Sequence, residues 1–563
     1  MKNTAFLISL SFLLLNCNIA PTKEKTIGLI TEKAMVVSAR EEASKIGSDI
    51  LEKGGNAYDA MVATHFALAV VYPVAGNIGG GGFMVYRNSD GTKGALDFRE
   101  KAPITAHKDM YLDSLGNIIK NKSTLGAHAV GIPGSVAGAF EVYKKLGSLP
   151  FKELIQPSID LARNGFKVTK KQANSLNSKA VYFEKVNTYK TVFEKEWKEG
   201  DLLKQEELAQ TLERIRDYGK EGFYKGKTAD LFVNYVRELG GIITHKDLQK
   251  YQAVWRKPID FSYKDYQITS MTLPASGGIC LAQILKSIEP FDLSEIEHNS
   301  VKYIQLLAEA ERRSYADRAH YLGDIDFVNV PIDSLTDTNY INQRMKTFSW
   351  NRATPSTEVS HGKILGFESD ETTHYSIVDQ FGNAVSVTTT LNTGYGSKVV
   401  VKGAGFILNN EMDDFSSKPG EPNVYGLVGS KANAIASEKR MLSSMTPSIV
   451  EKNGNLKMVL GSPGGSTIIT SVLQNILNVI EYDMGMQESV SQPRFHHQWL
   501  PDMIRMESNS FDEHTKTELI TLGYEILEKK SLIIGKVDAI LVLPNGKLEG
   551  GADPRGDDTA VGF

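Results

Sequence analysis

The chain has 563 residues, of which 41% are hydrophobic and 23% are charged. This composition is typical of a folded globular protein and supplies enough apolar material for a large core. Its 63 basic and 67 acidic residues leave a formal net charge of -4. Because no basic run is present, nothing points to nucleic acid or to an anionic membrane surface as a partner.

Cysteine and histidine usage argues against a metal or disulfide scaffold. The two cysteines, Cys17 and Cys280, are too few for a disulfide framework or a zinc site. The 11 histidines are scattered, and no His-Glu-x-x-His pair occurs. We therefore expect no metal and no cofactor.

Residues 1–20 have the pattern of a targeting segment. Ala5 to Leu15 is an apolar core of signal-peptide length, too short to span a membrane as a helix. Two cleavage sites remain open. Leu14-Leu15-Asn16-Cys17 resembles a bacterial lipoprotein box, which predicts a lipid anchor at Cys17, whereas ordinary signal cleavage would fall near Ala20. Both predict an exported, periplasmic protein.

Two helices are predicted after this segment. Ser38 to Lys53 has a helical pattern, and Gly54-Gly55 supplies its C-terminal cap. Asn56 caps a second helix, Ala57 to Val71, which ends before a proline. Because this second helix is apolar on nearly every face, we expect it to be buried.

A run of four glycines, residues 79–82, lies next in the chain. No Lys-Ser or Lys-Thr follows, and a strand-like Phe-Met-Val-Tyr comes after it, so a phosphate-binding loop is disfavoured. Close packing of the backbone in a crowded core is the better interpretation. Gly94 to Lys101 then has the pattern of a strand that ends in charged residues.

The middle and the C-terminal third of the chain differ in pattern. Phe151 to about Ala316 is mostly amphipathic helix, and Ser349 to Gly366 is polar and loop-like. After Thr372 short strands and tight turns dominate, with one apolar helix, Thr467 to Ile480. Hairpins and buried helices together predict two sheets covered by helices on both outer faces.

The stretch from Glu371 to Asp379 opens a predicted hairpin. Polar and apolar residues alternate from Thr373 to Val378, Gln380 to Asn383 has turn composition, and Ala384 to Leu391 forms the partner strand. As a bare pattern this is a Thr-rich hairpin without chemistry. The alternative, a catalytic segment, depends on the rest of the chain.

Several longer motifs accompany Thr372-Thr373-His374-Tyr375. They are Leu96-Asp97-Phe98-Arg99-Glu100, Leu408-Asn409-Asn410-Glu411-Met412-Asp413-Asp414-Phe415, Pro422-Asn423-Val424-Tyr425-Gly426-Leu427, Leu442-Ser443-Ser444-Met445, Gly461-Ser462-Pro463-Gly464-Gly465-Ser466 and Pro493-Arg494-Phe495-His496-His497-Gln498-Trp499. Together and in this order, they resemble the gamma-glutamyltransferases, also called gamma-glutamyltranspeptidases or glutathione hydrolases. The resemblance covers nearly the whole chain after the targeting segment.

The resemblance implies the α+β fold of N-terminal-nucleophile hydrolases, a four-layer αββα sandwich. In that family the protein cuts its own chain before the first Thr of the Thr-Thr-His-Tyr motif. The implied cleavage site here is the bond between Glu371 and Thr372. One folded unit would then consist of a large subunit, residues 21–371, and a small subunit, residues 372–563.

The resemblance also implies the catalytic residues. A threonine hydroxyl is a weak nucleophile that needs an adjacent base, and cleavage would give Thr372 a free α-amine to serve as that base. Such an amine titrates near ~7.7–8.0, so a useful fraction is neutral at neutral pH. Thr390 matches the residue that orients the nucleophile. Gly464 and Gly465 match the oxyanion hole, where glycine N–H groups approach a developing alkoxide closely.

A γ-glutamyl substrate carries an α-carboxylate and an α-ammonium, so its site needs a cation and anions side by side. Arg99 matches the family's forked carboxylate clamp, with Ser443 and Ser444 as hydroxyl partners. The full implied substrate-binding set is Arg99, Asn392, Glu411, Asp414, Tyr425, Ser443 and Ser444. Asn392, Glu411 and Asp414 would hold the ammonium, and Tyr425 would stand over the pocket in a lid. Implied substrates are glutathione and other γ-glutamyl compounds, with water, amino acids or peptides as acceptors.

Two positions depart from the family pattern, and two other functions stay open. Met441 stands where a proline usually precedes Leu-Ser-Ser, and Thr467 where an arginine usually follows Gly-Gly-Ser. A related acylase of glutaryl β-lactams would share the fold but need no ammonium pocket, which Glu411 and Asp414 argue against. An exported relative that only binds ligands would not need an intact Thr372.

Overall fold

The structure, a computed structural model, describes residues 26–360, 372–418, 420–424, 426–530 and 532–563. The predicted targeting segment with Cys17, the cleavage-site residue Glu371 and the lid residue Tyr425 lie outside these ranges. Among the described residues, no helix has both the length and the apolar character that crossing a bilayer requires.

Two large antiparallel sheets form the centre of the described structure. The strands of the first sheet, in spatial order, are β19 (Thr559–Gly562), β2 (Met35–Ser38), β10 (Thr373–Val378), β11 (Ala384–Thr390), β3 (Gly81–Arg87), β4 (Lys93–Asp97) and β7 (Val254–Arg256). Those of the second sheet are β1 (Ile30–Thr31), β18 (Leu548–Gly551), β17 (Asp538–Val542), β13 (Asn455–Gly461), β12 (Ser448–Lys452), β9 (Tyr266–Ser270) and β8 (Ile259–Tyr263).

The two sheets pack face to face because their strands alternate apolar residues between two faces. On β2, Met35 and Val37 join Ile449 and Ile540 of the second sheet in one apolar cluster. Val36, between them, points the other way and packs against the helices. Each sheet therefore has one face on its partner sheet and one face under a helical layer.

The outer face of the first sheet is covered by helices that share its apolar cluster. They are α1 (Glu41–Glu52), α2 (Ala57–Val71), α3 (Ser135–Leu146), α4 (Phe151–Asn164), α5 (Lys170–Val186), α6 (Glu206–Tyr218), α7 (Glu221–Tyr224), α8 (Gly226–Glu238) and α9 (His245–Lys250). A short ribbon of β5 (Phe166–Lys167) and β6 (Leu202–Leu203) lies among them.

A second helical layer covers the outer face of the second sheet. It contains α10 (Gly277–Ile288), α11 (Val301–Tyr321), α12 (Ile332–Leu335), α13 (Thr338–Met345), α14 (Thr467–Ile480), α15 (Met486–Ser491) and α16 (Glu513–Thr521). Beside it, β14 (Phe495–His496), β15 (Ile504–Glu507) and β16 (Ile526–Lys529) form a small mixed sheet. The four-layer αββα sandwich is confirmed.

Several local predictions are confirmed in detail. Helix α2 spans Ala57–Val71 with every residue buried, and the side chain of Asn56 caps it. The hairpin of β10 and β11 forms around the predicted turn. A side chain on Gly80 would overlap the carbonyl oxygen of Thr390, so the glycine run does allow close backbone packing.

Three boundaries differ from the prediction. The first helix begins at Glu41, because Ser38 belongs to β2 and pairs with Tyr375. The charged strand ends at Asp97 instead of Lys101. Residues 254–270 form β7, β8 and β9 inside a region predicted to be helical, since pairing with distant strands outweighs their weak local pattern.

Candidate active site

Thr372 lies immediately before β10, in the middle of the first sheet. The pairing of Thr373 with Thr389 sets Thr372 opposite Thr390, the last residue of β11. Their hydroxyl oxygens are 3.3 Å apart, and both side chains are buried. The hydroxyl of Thr390 also accepts a hydrogen bond of 2.7 Å from the backbone N–H of Asn392. Two threonine hydroxyls are thus held together at one end of a central strand pair.

The turn of this hairpin explains why the two threonines meet. The Asp379 carboxylate accepts hydrogen bonds from the backbone N–H groups of Phe381 at 2.9 Å and Asn383 at 2.8 Å. Such an Asx turn sets the register of the two strands. The other Asp379 oxygen accepts from the N–H of Ala57 at 2.8 Å, at the start of α2. The hairpin is therefore anchored to the buried helix.

Arg99 follows β4 and is fully buried. Its guanidinium donates to the Glu411 carboxylate and, at 2.5 Å, to Asp414, while the Glu100 carboxylate lies 3.5 Å away. Burial lowers the pKa of Arg99, but the three carboxylates outweigh it, and the net pKa is raised. The arginine stays charged and is shared among three acids.

The acids around Arg99 keep unused hydrogen-bonding capacity. Among the described residues, neither oxygen of the Glu100 carboxylate has a hydrogen-bond partner. The Glu411 carboxylate has a partner, Arg99, for one of its two oxygens. Burial raises the pKa of Glu100 to about 7 and that of Glu411 well above its ordinary value, against the pull of Arg99. Buried acceptors without donors are unfavourable, so this site favours an incoming cation or donor.

Ser443 and Ser444 directly follow Met441 and Leu442, whose carbonyl oxygens accept hydrogen bonds from Arg99 at 3.3 Å and 3.5 Å. The N–H of Ser443 donates to the carbonyl of Pro274 at 2.8 Å, which places the loop against α10. The hydroxyl of Ser444 accepts from Arg318 at 3.0 Å, and Arg318 also donates to the Ser276 hydroxyl at 2.9 Å. A second buried arginine therefore positions this loop.

Arg318 was not among the residues that the sequence predicted for the site. It lies near the end of α11, a helix in which residues 309–318 are buried despite a high content of charge. The sequence offered one signal for Arg318, which is that the charged residues of this helix leave it without an apolar face. Buried charges need partners, so such a helix indicates a buried network of ion pairs.

Gly464 and Gly465 lie between β13 and α14. Their φ angles of +131° and +53° suit glycine, and a side chain on Gly464 would approach Gly535 Cα to 3.1 Å. Thr467 holds the turn, since its N–H at 2.9 Å and its hydroxyl at 2.8 Å both donate to the Gly464 carbonyl. Thr467, one of the two departures from the family pattern, thus caps the segment.

These residues line one narrow cavity of about 30 Å³. Its lining includes every predicted binding residue that the structure describes, together with both threonines and Gly465: Arg99, Thr372, Thr390, Asn392, Glu411, Asp414, Ser443, Ser444 and Gly465. Gly464 instead lines the adjoining larger cavity, which also reaches Thr372. A space of this size holds about one water molecule, so the pocket around Arg99 is almost completely filled by its lining residues.

The predicted lid segment, Met412 to Gly429, borders the pocket in the part that the structure describes. Asn423 donates to Asp414 at 3.2 Å, and the N–H of Val424 donates to Asp413 at 2.8 Å. Leu427 and Gly429 line the cavity. Tyr425 lies outside the described residues, so its role as a lid stays a prediction. Among the residues that the structure does describe, no group of three or more His, Cys, Asp or Glu side chains is placed to hold a metal.

Comparison with known proteins identifies the family. A gamma-glutamyltranspeptidase family model matches residues 43–563. The chain belongs to the gamma-glutamyltranspeptidase family. It is 46% identical to the glutathione hydrolase proenzyme of Escherichia coli over 545 residues, which cover 94% of this chain and 92% of that protein.

Solved structures agree with the fold of a gamma-glutamyltranspeptidase. The crystal structure of the Helicobacter pylori gamma-glutamyltranspeptidase matches with a TM-score of 0.56 and 44% identity, over 60% of this chain and 97% of that one. A cephalosporin acylase from Bacillus halodurans matches with a TM-score of 0.84 over 98% of this chain and 99% of that one. At 23% identity the acylase shares the fold alone.

Proposed function

We propose that this gamma-glutamyltranspeptidase cuts its own chain between Glu371 and Thr372. The freed Thr372 then transfers γ-glutamyl groups from glutathione and related compounds to water, amino acids or peptides. One observation supports this proposal most directly. The Thr372 hydroxyl lies 3.3 Å from that of Thr390, and Thr372 lines the same cavity as Arg99 and its acids. The proposal includes two subunits, residues 21–371 and 372–563.

The pocket can bind a zwitterion if ion pairs within the protein are replaced by ion pairs with the substrate. Arg99 now contacts Glu411 and Asp414, and the small cavity leaves no space for a glutamyl group beside them. An incoming α-carboxylate would take the guanidinium, together with the hydroxyls of Ser443 and Ser444. The released acids and Asn392 would take the α-ammonium. Each charged group of the protein that gives up a charged partner gains one from the substrate, which limits the free-energy cost of desolvation.

The chemistry that these residues support is acyl transfer. The Thr372 hydroxyl attacks the γ-carbonyl carbon, and its proton passes to the α-amine of the same residue. The N–H groups of Gly464 and Gly465 stabilise the resulting oxyanion. The C–N bond then breaks, the leaving amine takes the proton, and the glutamyl ester on Thr372 is attacked by water or by an acceptor amine.

Export is part of the proposal. The pattern of residues 1–20 supports transfer to the periplasm, with ordinary cleavage near Ala20 or lipidation of Cys17 as the two routes. Sequencing the mature N-terminus separates them, because a chain that begins at Pro21 has lost Cys17.

Self-cleavage can be tested on the purified protein. We expect the wild type to give two bands on a denaturing gel, with the smaller one starting at Thr372 by N-terminal sequencing. Thr372→Ala removes the attacking hydroxyl, so it should remain one chain without activity. Cleavage of the purified Thr372→Ala protein at the same bond would overturn the mechanism.

A pair of substrates separates transferase from acylase activity. We expect the wild type to hydrolyse γ-glutamyl-4-nitroanilide at least about tenfold faster, in kcat/KM, than glutaryl-4-nitroanilide, because only the former engages Arg99 and its acids through charge-assisted hydrogen bonds. Release of nitroaniline is followed by absorbance. Equal or faster turnover of the glutaryl compound would favour the acylase, since Glu411 and Asp414 would then have no ammonium to bind.

A further inference from the structure

Arg318 lines the narrow pocket, but the residues around it do not neutralise its charge. It lies on α11, is 4% exposed, and borders the same cavity as Arg99 and Thr372. Its hydrogen-bond acceptors in the described structure are two neutral hydroxyls, that of Ser276 at 2.9 Å and that of Ser444 at 3.0 Å. Arg99, by contrast, is shared among three carboxylates.

A buried cation that lacks a close counter-ion makes the pocket favourable for an anion. Burial lowers the pKa of Arg318, and attraction from the more distant Asp414 only partly offsets this effect. The guanidinium is nevertheless charged at neutral pH, since arginine loses its proton only at a much higher pH. A negative group that enters the cavity would therefore stabilise a charge that has already lost its hydration.

The same guanidinium holds both serines of the neighbouring loop. Its Nη2 donates directly to the Ser444 hydroxyl, and its Nε donates to the Ser276 hydroxyl. The Ser276 hydroxyl in turn donates to the carbonyl oxygen of Ser443 at 2.6 Å, and the Ser276 N–H donates to the same oxygen at 2.7 Å. Arg318 thus fixes Ser444 through its side chain and Ser443 through its backbone.

These contacts also decide where the two serine protons point. Arginine has donors and no acceptor, so the Ser444 hydroxyl can only accept from Arg318, and its own proton is directed elsewhere. The Ser443 hydroxyl likewise accepts from the N–H of Met445 at 3.1 Å. Both serines line the narrow cavity. The two hydroxyls are therefore arranged as donors to an acceptor in the cavity, and the bond from a cation strengthens Ser444 as a donor.

We propose that Arg318 is a positioning residue that makes the pocket select substrates with an α-carboxylate. It holds the hydroxyls of Ser443 and Ser444 as donors to that carboxylate, and it places a second positive charge behind them. The inference rests on the proposed function, in which these serines receive the α-carboxylate of the glutamyl group. An amide that lacks the α-carboxylate gains nothing from Arg318.

A pair of anilides isolates the contribution of the α-carboxylate. 4-Aminobutyryl-4-nitroanilide has the chain and the ammonium of γ-glutamyl-4-nitroanilide but no α-carboxylate. We expect the wild type to favour the γ-glutamyl compound by about a hundredfold in kcat/KM. Arg318→Met should reduce this preference by about tenfold, mainly through a higher KM for the γ-glutamyl compound. Arg352→Met, at an exposed position, is the control and should keep the wild-type preference.

The same comparison separates selection from structural support. If Arg318 only supported the fold, Arg318→Met would lower kcat/KM for both anilides by the same factor, and that result would overturn the proposal. Self-cleavage into two bands shows that a variant is folded. Should Arg318→Met not fold, Arg318→Lys replaces it, because lysine keeps the charge but cannot bond two hydroxyls through a planar fork.

A double-mutant cycle tests whether Arg318 acts through Ser444. Ser444→Ala alone should reduce the preference for the γ-glutamyl anilide severalfold. In the Arg318→Met background the same change should have little further effect, because the hydroxyl has already lost its orientation. Fully additive losses would show that the two residues act independently, which contradicts the proposal.

Binding of two free acids keeps the test independent of turnover. L-Glutamate and 4-aminobutyrate differ only in the α-carboxylate. By calorimetry we expect glutamate to bind the wild type at least about tenfold more tightly, and most of this difference should be lost in Arg318→Met. If neither anilide is turned over but this dependence on Arg318 is present, the proposed function fails and the role of Arg318 stands. An equal preference in the wild type and Arg318→Met would overturn that role.

Discussion

Arg99 shares its guanidinium among the carboxylates of Glu411, Asp414 and Glu100. All four side chains are largely or fully buried, so full ionisation would leave an excess of two negative charges in a dry site. Burial raises the pKa of Glu100 to about 7, and repulsion from Asp414 contributes to this rise. A substrate ammonium would relieve this excess, so the protonation of the site and the binding of substrate are linked.

Replacement of Arg99 by lysine tests the forked clamp. Arg99→Lys keeps the charge but loses the planar pair of donors, and charge-assisted hydrogen bonds contribute roughly 1.5–3 kcal/mol each. We expect kcat/KM for γ-glutamyl-4-nitroanilide to fall by about tenfold to a hundredfold, mainly through KM if the contact is equal in the ground and transition states. Arg352→Lys, at an exposed position, is the matched control. Wild-type kinetics in Arg99→Lys would remove the residue from the site.

Among the elements, the turn from β13 into α14 contains the two glycines that are predicted to form the oxyanion hole. Gly464 adopts a φ of +131°, a conformation that favours glycine. The hydroxyl of Thr467, in the first turn of α14, donates a hydrogen bond to the Gly464 carbonyl oxygen. This chain therefore uses a short hydroxyl to hold the glycine pair in place.

The hydroxyl of Thr467 should matter more for rate than for binding. Thr467→Val keeps the shape and the backbone hydrogen bond of 2.9 Å but loses the side-chain donor. We expect a decrease of about 0.5–1.5 kcal/mol in the free energy of unfolding and a severalfold lower kcat with little change in KM, measured by thermal unfolding and steady-state kinetics. Thr517→Val, which removes a hydroxyl bonded to Glu513 O on exposed α16, is the control. An unchanged kcat in Thr467→Val would show that the oxyanion segment does not depend on this bond.

At the scale of the whole molecule, a buried acid pair connects the two sheets. Asp538 begins β17 of the second sheet, and Asp558 precedes β19 of the first. Burial raises the pKa of Asp538 well above its ordinary value, and the neighbouring Asp558 raises it further. Burial also raises the pKa of Asp558 from 3.8 to about 6. Apart from the other acid of the pair, neither carboxylate has a side-chain hydrogen-bond partner among the described residues.

This pair makes stability depend on pH in a defined direction. Because the folded pKa values exceed those of the unfolded chain, the folded state binds more protons, and the free energy of unfolding falls as pH rises from about 4 through about 6 and above. Asp538→Asn removes one charge. We expect it to raise the free energy of unfolding by about 1–3 kcal/mol near neutral pH and by much less at acidic pH.

Denaturant unfolding of the wild type and Asp538→Asn at acidic and neutral pH measures this effect. Asp265→Asn, an exposed carboxylate paired with Lys452, should leave the pH profile close to that of the wild type. A gain in Asp538→Asn that is the same at both pH values would show that packing, not ionisation, is responsible.

The sequence by itself determined the local elements and led to the prediction that Thr372 is the nucleophile. Helix α2, the hairpin of β10 and β11 and the tight packing of Gly80 follow from caps, periodicity and turn chemistry, which act over a few residues. The ordered motifs indicated the family and the αββα fold. The roles of Thr372, Thr390 and Arg99 follow from the same resemblance and stay predictions.

Only the tertiary structure decided how these residues meet. The partners of Arg99 lie 312 and 315 residues away in the chain, and Arg318 reaches Ser444 across 126 residues. Strands β7 to β9 likewise depend on pairing with segments that no local pattern connects. Burial, pairing with distant strands and the sharing of charge arise only when the sheets close on each other, because that closure excludes water and brings remote side chains within a few ångströms.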